Sequence, residues 1–298
     1  MSNHFYDNDG AAIQFTGDRM SSSKLTISRN EITSSGLHNS ANPGIQILGK
    51  MDDIEVSNNF IHDNSQGSIH VHSYSKALKV KILNNVISFN INGSESILVQ
   101  APDGASPFVK IAGNELTRNE LNQFRNLVNI ENVRADIIEN LFSENLMKSV
   151  LNWDSTYNDN DTGICEKNTF SRNAGYLQAI FLKGGKKTVN RNFIVNLGYD
   201  YEIAVFPSYL VKNTDDQFDV RFNWLGYGPR DTLLKRIKST KSQSDFPVVA
   251  VVAVEPFLSS PRETFERGKI IIIVIFLYIV NGVILNSSVI CFLSGVEF

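Results

Sequence analysis

Hydrophobic and polar positions alternate in short runs along this chain, and the runs recur. One run places apolar residues five and three positions before an asparagine: Leu25 and Ile27 before Asn30, Ile54 and Val56 before Asn59, Val80 and Ile82 before Asn85, Val109 and Ile111 before Asn114. The nearer position is filled again by Ile137, Cys165, Val189 and Val220, ahead of Asn140, Asn168, Asn192 and Asn223. A second run follows the asparagine, with an apolar residue two positions on at Phe5, Ile32, Ile61, Ile87, Leu116, Phe142, Phe170, Ile194 and Leu225. A third alternates farther along, at Ile13/Phe15, Ile45/Ile47, Ile69/Val71, Ile97/Val99, Val128/Ile130, Leu151/Trp153, Ile180/Leu182 and Ile203/Val205. Period-two alternation predicts strands with one buried face. The asparagines, starting at Asn3, recur every 24 to 31 residues or so, a period that belongs to solenoids, propellers and arrays.

Three strands per repeat, each stacking in parallel on its equivalent one repeat away, predict an all-β fold, a right-handed parallel β-helix of about nine coils. Each inward side chain contributes roughly 1.5–3 kcal/mol on full burial. A stack of coils therefore holds a continuous core although no single coil could stand alone. The recurring asparagine is expected at a bend between two strands, because Asn tolerates the left-handed conformation and its amide can bond the same amide one coil away. Asn30, Asn59, Asn85, Asn114, Asn140, Asn168, Asn192 and Asn223 are thus expected to form a structural ladder. A second asparagine falls five residues later, at Asn8, Asn64, Asn90, Asn119, Asn145 and Asn173, and marks the next corner.

Beyond Asn223 the repeat gives way to Trp224, Leu225 and Gly226, then an amphipathic stretch at 229–238 with Leu233, Leu234 and Ile237 on one face. A basic linker at 235–241 and an apolar run at 248–254 follow. This predicts coils over 1–228, then a capping helix and a last strand over 229–260. Residues 1–8 already spell the repeat, with no secretory signal, so the chain is expected to begin inside a coil of a longer protein.

A net charge of -3 with no basic cluster in the coils argues against nucleic acid or an anionic membrane surface as partner. The two cysteines offer no disulfide framework, and Cys165 holds an inward position as a small hydrophobe.

The repeats, the corner at Asn223, Trp224 and Gly226, the short helix ending in Arg236 and Ile237, and the Val-rich strand ending in Pro256, Phe257 and Leu258 resemble the β-helix segments of the invertebrate Bark beetle (Anakonda) family. The resemblance covers about residues 1–260, with Leu225 where that family has an aromatic. It implies a noncatalytic, extracellular module of a single-pass membrane protein at tricellular junctions. The partners it implies are other junction proteins or a second copy of the chain, with glycans as a further class. No cysteine-rich domain of the kind that accompanies those segments is present. Extracellular placement agrees with glycosylation sequons at Asn92 and Asn160.

The tail at 261–298 is read apart. Residues 270–293 carry no charge and suffice for a transmembrane helix of about 20 residues, the only membrane contact expected. Yet Arg262, Arg267 and Lys269 before it would put the coils in the cytoplasm. Its Ile, Lys, Phe, Tyr, Asn and Leu are the residues AT-rich DNA encodes, which makes a gene-model artefact, translated noncoding sequence after about Gly268, the competing expectation.

Parallel β-helices also serve as polysaccharide lyases, hydrolases and epimerases, the alternative function. Two catalytic carboxylates about 5 to 9.5 Å apart would take the same outward position on adjacent coils. Asp52 and Asp53 face Lys24 and Lys79 in that sense, and Asp215 and Asp216 precede the last coil. No carboxylate pair is expected to stack, and no catalytic residue, cofactor or metal is assigned. The oxygen-rich insertion of Asp154, Asn158, Asp159, Asn160 and Asp161 is read as a hydrated loop, lacking an EF-hand register. His70 and His72 are expected as an ordinary exposed pair, short of a third zinc ligand. Arg29, Arg118, Arg172, Arg191 and Arg221 flank asparagines and are expected to form one sparse solvated stripe.

Overall fold

The structure, a computed structural model, describes residues 3–17, 24–36, 42–49, 51–73, 78–91, 93–102, 107–156, 161–196, 198–206, 217–239, 251–253, 257–258, 271–280 and 283–292. It is a parallel β-solenoid with almost no helix. Three parallel sheets run its length, of eight, nine and nine strands. The first sheet runs from Asn3–Phe5 to Phe193–Val195, the second from Ile13–Gly17 to Ile237–Ser239, and the third from Lys24–Ser28 to Val251–Ala253. The chain passes from the third sheet to the first and then to the second before rising one coil.

Register follows the hydrophobic pattern. Ile27, Val56, Ile82, Ile111, Ile137, Cys165 and Val189 pair in sequence along the third sheet and form one internal column, every member buried. On the first sheet Ile87, Leu116, Phe142, Phe170 and Ile194 stack likewise, with the rings of Phe142 and Phe170 4.7 Å apart. One column the sequence left incomplete continues through Ala135, Gly163 and Lys187. Trp153 explains the small residues: a Cβ at Gly163 would lie 2.7 Å from Cη2 of its ring and closer still to the Ala135 carbonyl. Lys187 is buried beside it, with Nζ donating to the carbonyls of Lys183 and Gly184 and lying 5.3 Å from the Trp153 ring.

The ladder forms, but the left-handed residue is not the asparagine. Arg29, Asn58, Asn84, Gly113, Glu139, Lys167, Arg191 and Phe222, each one position earlier, have φ between 53° and 65°. The reason is that the amide must point inward from the first residue of the new strand. The residue before it therefore makes the turn and sends its side chain out. Each turn at a non-glycine costs on the order of 1–2 kcal/mol, offset by bonds such as those at Asn114. Its Oδ1 accepts the backbone and side-chain N–H of Asn85 at 2.9 and 3.0 Å, while its own N–H groups reach Asn140 Oδ1 at 2.9 and 3.0 Å. The same bonds link Asn30, Asn59, Asn85, Asn114, Asn140, Asn168, Asn192 and Asn223.

The second corner is a ladder too, which the sequence reading took only as a bend. Ser35, Asn64, Asn90, Asn119, Asn145, Asn173 and Asn196 bond in order, again behind left-handed residues at Ser34, Asp63, Phe89, Arg118, Glu144 and Arg172.

At the far end the expected helix is shorter. It spans Arg230–Lys235 with no residue fully buried, and Ile237 belongs instead to the strand Ile237–Ser239, where it pairs with Ile203. A free strand edge on the second sheet wins over continued helix, because it supplies backbone partners a helix end lacks. The expected strand at 248–254 is seen at Val251–Ala253, pairing with Gln217–Asp219. In the tail, Ile271–Val280 and Val283–Phe292 pair as an antiparallel hairpin where the sequence predicted a single apolar helix. β-Branched Ile and Val dominate the first of these strands and recur at both ends of the second, and they favour extended structure. No helix among the described residues is long and apolar enough to cross a membrane.

Candidate functional site

Outward side chains on the second sheet fall into two columns, because alternate residues of a strand share a face. One column runs His72, Gln100, Glu131, Asp154, Lys183, Phe206 in direct strand register. Beside it run His70, Leu98, Asn129, Asn152, Phe181 and Ala204. Glu131 and Asp154 thus occupy the same outward position on adjacent coils, which corrects the expectation that no carboxylate pair stacks.

These groups bond to one another across coils. His72 Nδ1 lies 3.1 Å from Gln100 Oε1, Gln100 donates to Glu131 at 2.8 Å, Asn129 donates to the other oxygen of Glu131 at 2.9 Å, and Asn152 donates to Asn129 at 2.6 Å. Asp154 accepts from the Thr156 backbone at 2.8 Å and from its hydroxyl, and lies 3.7 Å from Lys183 Nζ. Phe181 and Phe206 follow with ring centroids 4.9 Å apart. The result is a half-exposed row of imidazole, amides and carboxylates that ends on two aromatic rings.

His70 is not the exposed neighbour that alternation predicts. It is buried, with Nε2 2.8 Å from the Glu95 carbonyl and 3.3 Å from Ser94 Oγ, and burial pushes its imidazole below the ordinary value. The next coil's corner folds over it, and Gly67, at φ 100°, leaves room: a Cβ there would meet Nε2 at 2.9 Å. His70 and His72 therefore do not converge on a common ligand position.

Asp53 pairs with Lys24 and Lys79 across the third sheet, as the spacing implied. Asp215 and Asp216 lie outside the described residues, as do the sequons' Asn92 and Asn160 and three members of the oxygen-rich insertion, Asn158, Asp159 and Asn160. Of that insertion, Asp154 belongs to the row and Asp161 is buried. No group of three His, Cys, Asp or Glu that could hold a metal occurs among the described residues. The arginines divide between corners and do not form one stripe. Arg29 and Arg191 turn the first corner, Arg118 and Arg172 turn the second and both bond Glu144 at 2.8 Å, and Arg221 is bound to Asp219 at 2.8 and 2.7 Å. That last pair lines an open groove of about 590 Å³ on the third sheet, between Lys186, Thr188 and Gln217. Cys165 is buried beside the ladder, its thiol pushed upward by burial.

No family model, curated protein or solved structure matches the chain.

Proposed function

We infer that the chain is a noncatalytic β-solenoid module of an extracellular, membrane-anchored cell–cell junction or adhesion protein. In this reading it is a rod of about nine right-handed coils, the hand favoured by parallel strand connections, with the helix Arg230–Lys235 and Leu258 closing its end. The observation that supports it is the state of the one in-register carboxylate pair on the row. Glu131 accepts two amide donors and Asp154 is held by Thr156 and Lys183, so both carboxylates are already engaged by groups of their own sheet. The resemblance of the repeats and of the corner at Asn223, Trp224 and Gly226 points to the junction class, and the apolar tail is the segment that would meet a bilayer.

The same pair favours a second reading, a carbohydrate-active enzyme working on this sheet, because two carboxylates in register on adjacent coils are where such chemistry would place its pair. Incubation with neutral and uronate polysaccharides, with and without Ca²⁺, decides between them. The first reading expects no new reducing ends and no ultraviolet-absorbing unsaturated product. Turnover abolished by Glu131→Gln and Asp154→Asn would establish the second.

A further inference from the structure

We propose that the outer row of the second sheet binds a linear, uncharged polysaccharide laid along the solenoid axis. This rests on the noncatalytic reading and adds a ligand class and a site to it.

Spacing is the first argument. Adjacent parallel strands lie about 4.8 Å apart, close to the length of one pyranose unit in an extended chain. The column from His72 to Phe206 makes five such steps, so it would follow about six sugar units over roughly 24 Å without change of register. A ligand with that repeat meets an equivalent position on every coil.

Functional groups are the second. Vicinal sugar hydroxyls each donate and accept, and planar amide and carboxylate groups match such pairs with two atoms at once. Gln100, Glu131 and Asn152 are groups of that kind, already oriented by bonds of 2.6–2.9 Å to one another and to the buried Asn129 between them. Those bonds leave the second amide hydrogens of Gln100 and Asn152 and further lone pairs on Glu131 for a ligand. Groups held by their neighbours lose little freedom on binding.

Charge and the aromatic end select among glycans. Lys183 lies against Asp154, Glu131 is bonded by amides, and Lys238 continues the neighbouring column with Nζ 6.0 Å from the Phe206 ring, so two carboxylates and two ammonium groups leave the row with little net charge. A polyuronate would meet two carboxylates, and a polyamine would find one of them already matched. Phe181 and Phe206, 4.9 Å apart, offer a platform for the apolar face of a sugar ring.

The test uses the full chain in native affinity gels and calorimetry, with soluble β-linked glucan, mannan and xylan as uncharged probes and polygalacturonate and chitosan as charged ones. At least one uncharged polymer should retard the protein, and its oligosaccharides should gain affinity with length up to about six units, the reach of the column at that strand spacing. Gln100→Ala with Asn152→Ala, and separately Phe206→Ala, should each weaken binding at least tenfold. Cooperative unfolding of each variant checks that it remains folded, since these side chains lie outside the core columns. Binding to none of the uncharged polymers, binding to a charged probe alone, or equal binding by the folded variants would overturn the proposal. Binding accompanied by new reducing ends would support this site and overturn the noncatalytic reading. Absence of both binding and turnover would overturn the site and leave that reading standing.

Discussion

At the first corner of each coil, Asn3 hands its side-chain N–H to Asn30, and from Asn30 onward the same pair of backbone and side-chain N–H bonds passes from coil to coil as far as Asn223. There the last amide donates to the carbonyls of Val189 and Val220, and Leu258 N–H caps the Asn223 carbonyl at 3.2 Å. At the second corner the same pattern starts through Ser35, whose hydroxyl takes Asn8 at 3.4 Å against 3.0 Å for Asn3 to Asn30. It ends on a charge. Asn196 donates its backbone and side-chain N–H to the two oxygens of buried Glu202, each at 2.8 Å, and Arg236 bonds the same carboxylate. A ladder interior is interchangeable between corners, whereas a ladder end must find an acceptor for its last donors. Backbone carbonyls serve one corner at no electrostatic cost. A carboxylate serves the other only because a guanidinium from the Arg230–Lys235 helix's C-cap arrives with it.

The largest expected effect removes what both corners share. Phe142 lies between Asn140 and Asn145, fully buried against Phe170, so Phe142→Ala should cost about 4 kcal/mol in equilibrium denaturation through the cavity it leaves. A cost near that of a ladder substitution would mean the amides, and not the core, hold the corners together.

Next comes the charged end. Glu202→Ala strands Arg236 and two Asn196 donors and should cost about 3 kcal/mol, more than Asn223→Ala at the neutral end. Equal costs would erase the distinction. Burial outweighs the donors and pushes the Glu202 carboxyl above its ordinary value. A raised folded pKa means that its contribution is complete below the unfolded value and fades as pH rises through the folded one. Denaturation midpoints of wild type should therefore fall relative to Glu202→Gln over that window.

Within the ladders the two corners should behave alike. Asn114→Ala and Asn119→Ala each remove an acceptor of two N–H groups and should each cost about 2 kcal/mol. An unchanged midpoint for either would show its amide to be dispensable.

The smallest effect lies on the surface of the second corner. Glu144 is held below the usual carboxylate range first by its hydrogen bond to Arg118, with Arg172 adding to this. A depressed folded pKa gives stability that is present above the unfolded value and is lost as pH falls through the folded one. Glu144→Gln should lower the melting midpoint by less than about 2 °C at neutral pH, and the difference should vanish in acid.

Much of this was legible in advance for a stated reason. Every coil presents the same interior, so Ile27, Val56, Ile82 and their successors recur at one place in each repeat. The amide geometry recurs with them. The left-handed position was misplaced by one residue because Arg29, Glu139 and Phe222 have no common chemistry; only their backbone is alike. Lys187 was invisible as an interior residue because its burial depends on Trp153 and Phe218, brought from other strands, and on the Lys183 and Gly184 carbonyls that the turn before it aims at its ammonium.

The candidate row lies between the two kinds: Gln100, Glu131, Asp154, Lys183 and Phe206 each follow the last apolar residue of the third run, so their alignment was legible, whereas the bonds between them were not. His72 to Gln100 is 28 residues, Gln100 to Glu131 is 31, and Asn129 to Asn152 is 23, so no fixed period aligns them. Coil lengths vary in the outer loops while the sheets hold register, so unequal separations along the chain become equal steps across the sheet. The sequence alone determined the strands, their buried face, the internal columns and the first ladder, because burial imposes the same demand on every coil. The tertiary structure decided which outward side chains bond to one another and how Arg236 reaches Glu202, because solvent-facing positions carry no repeated constraint on residue type that a periodic pattern could reveal.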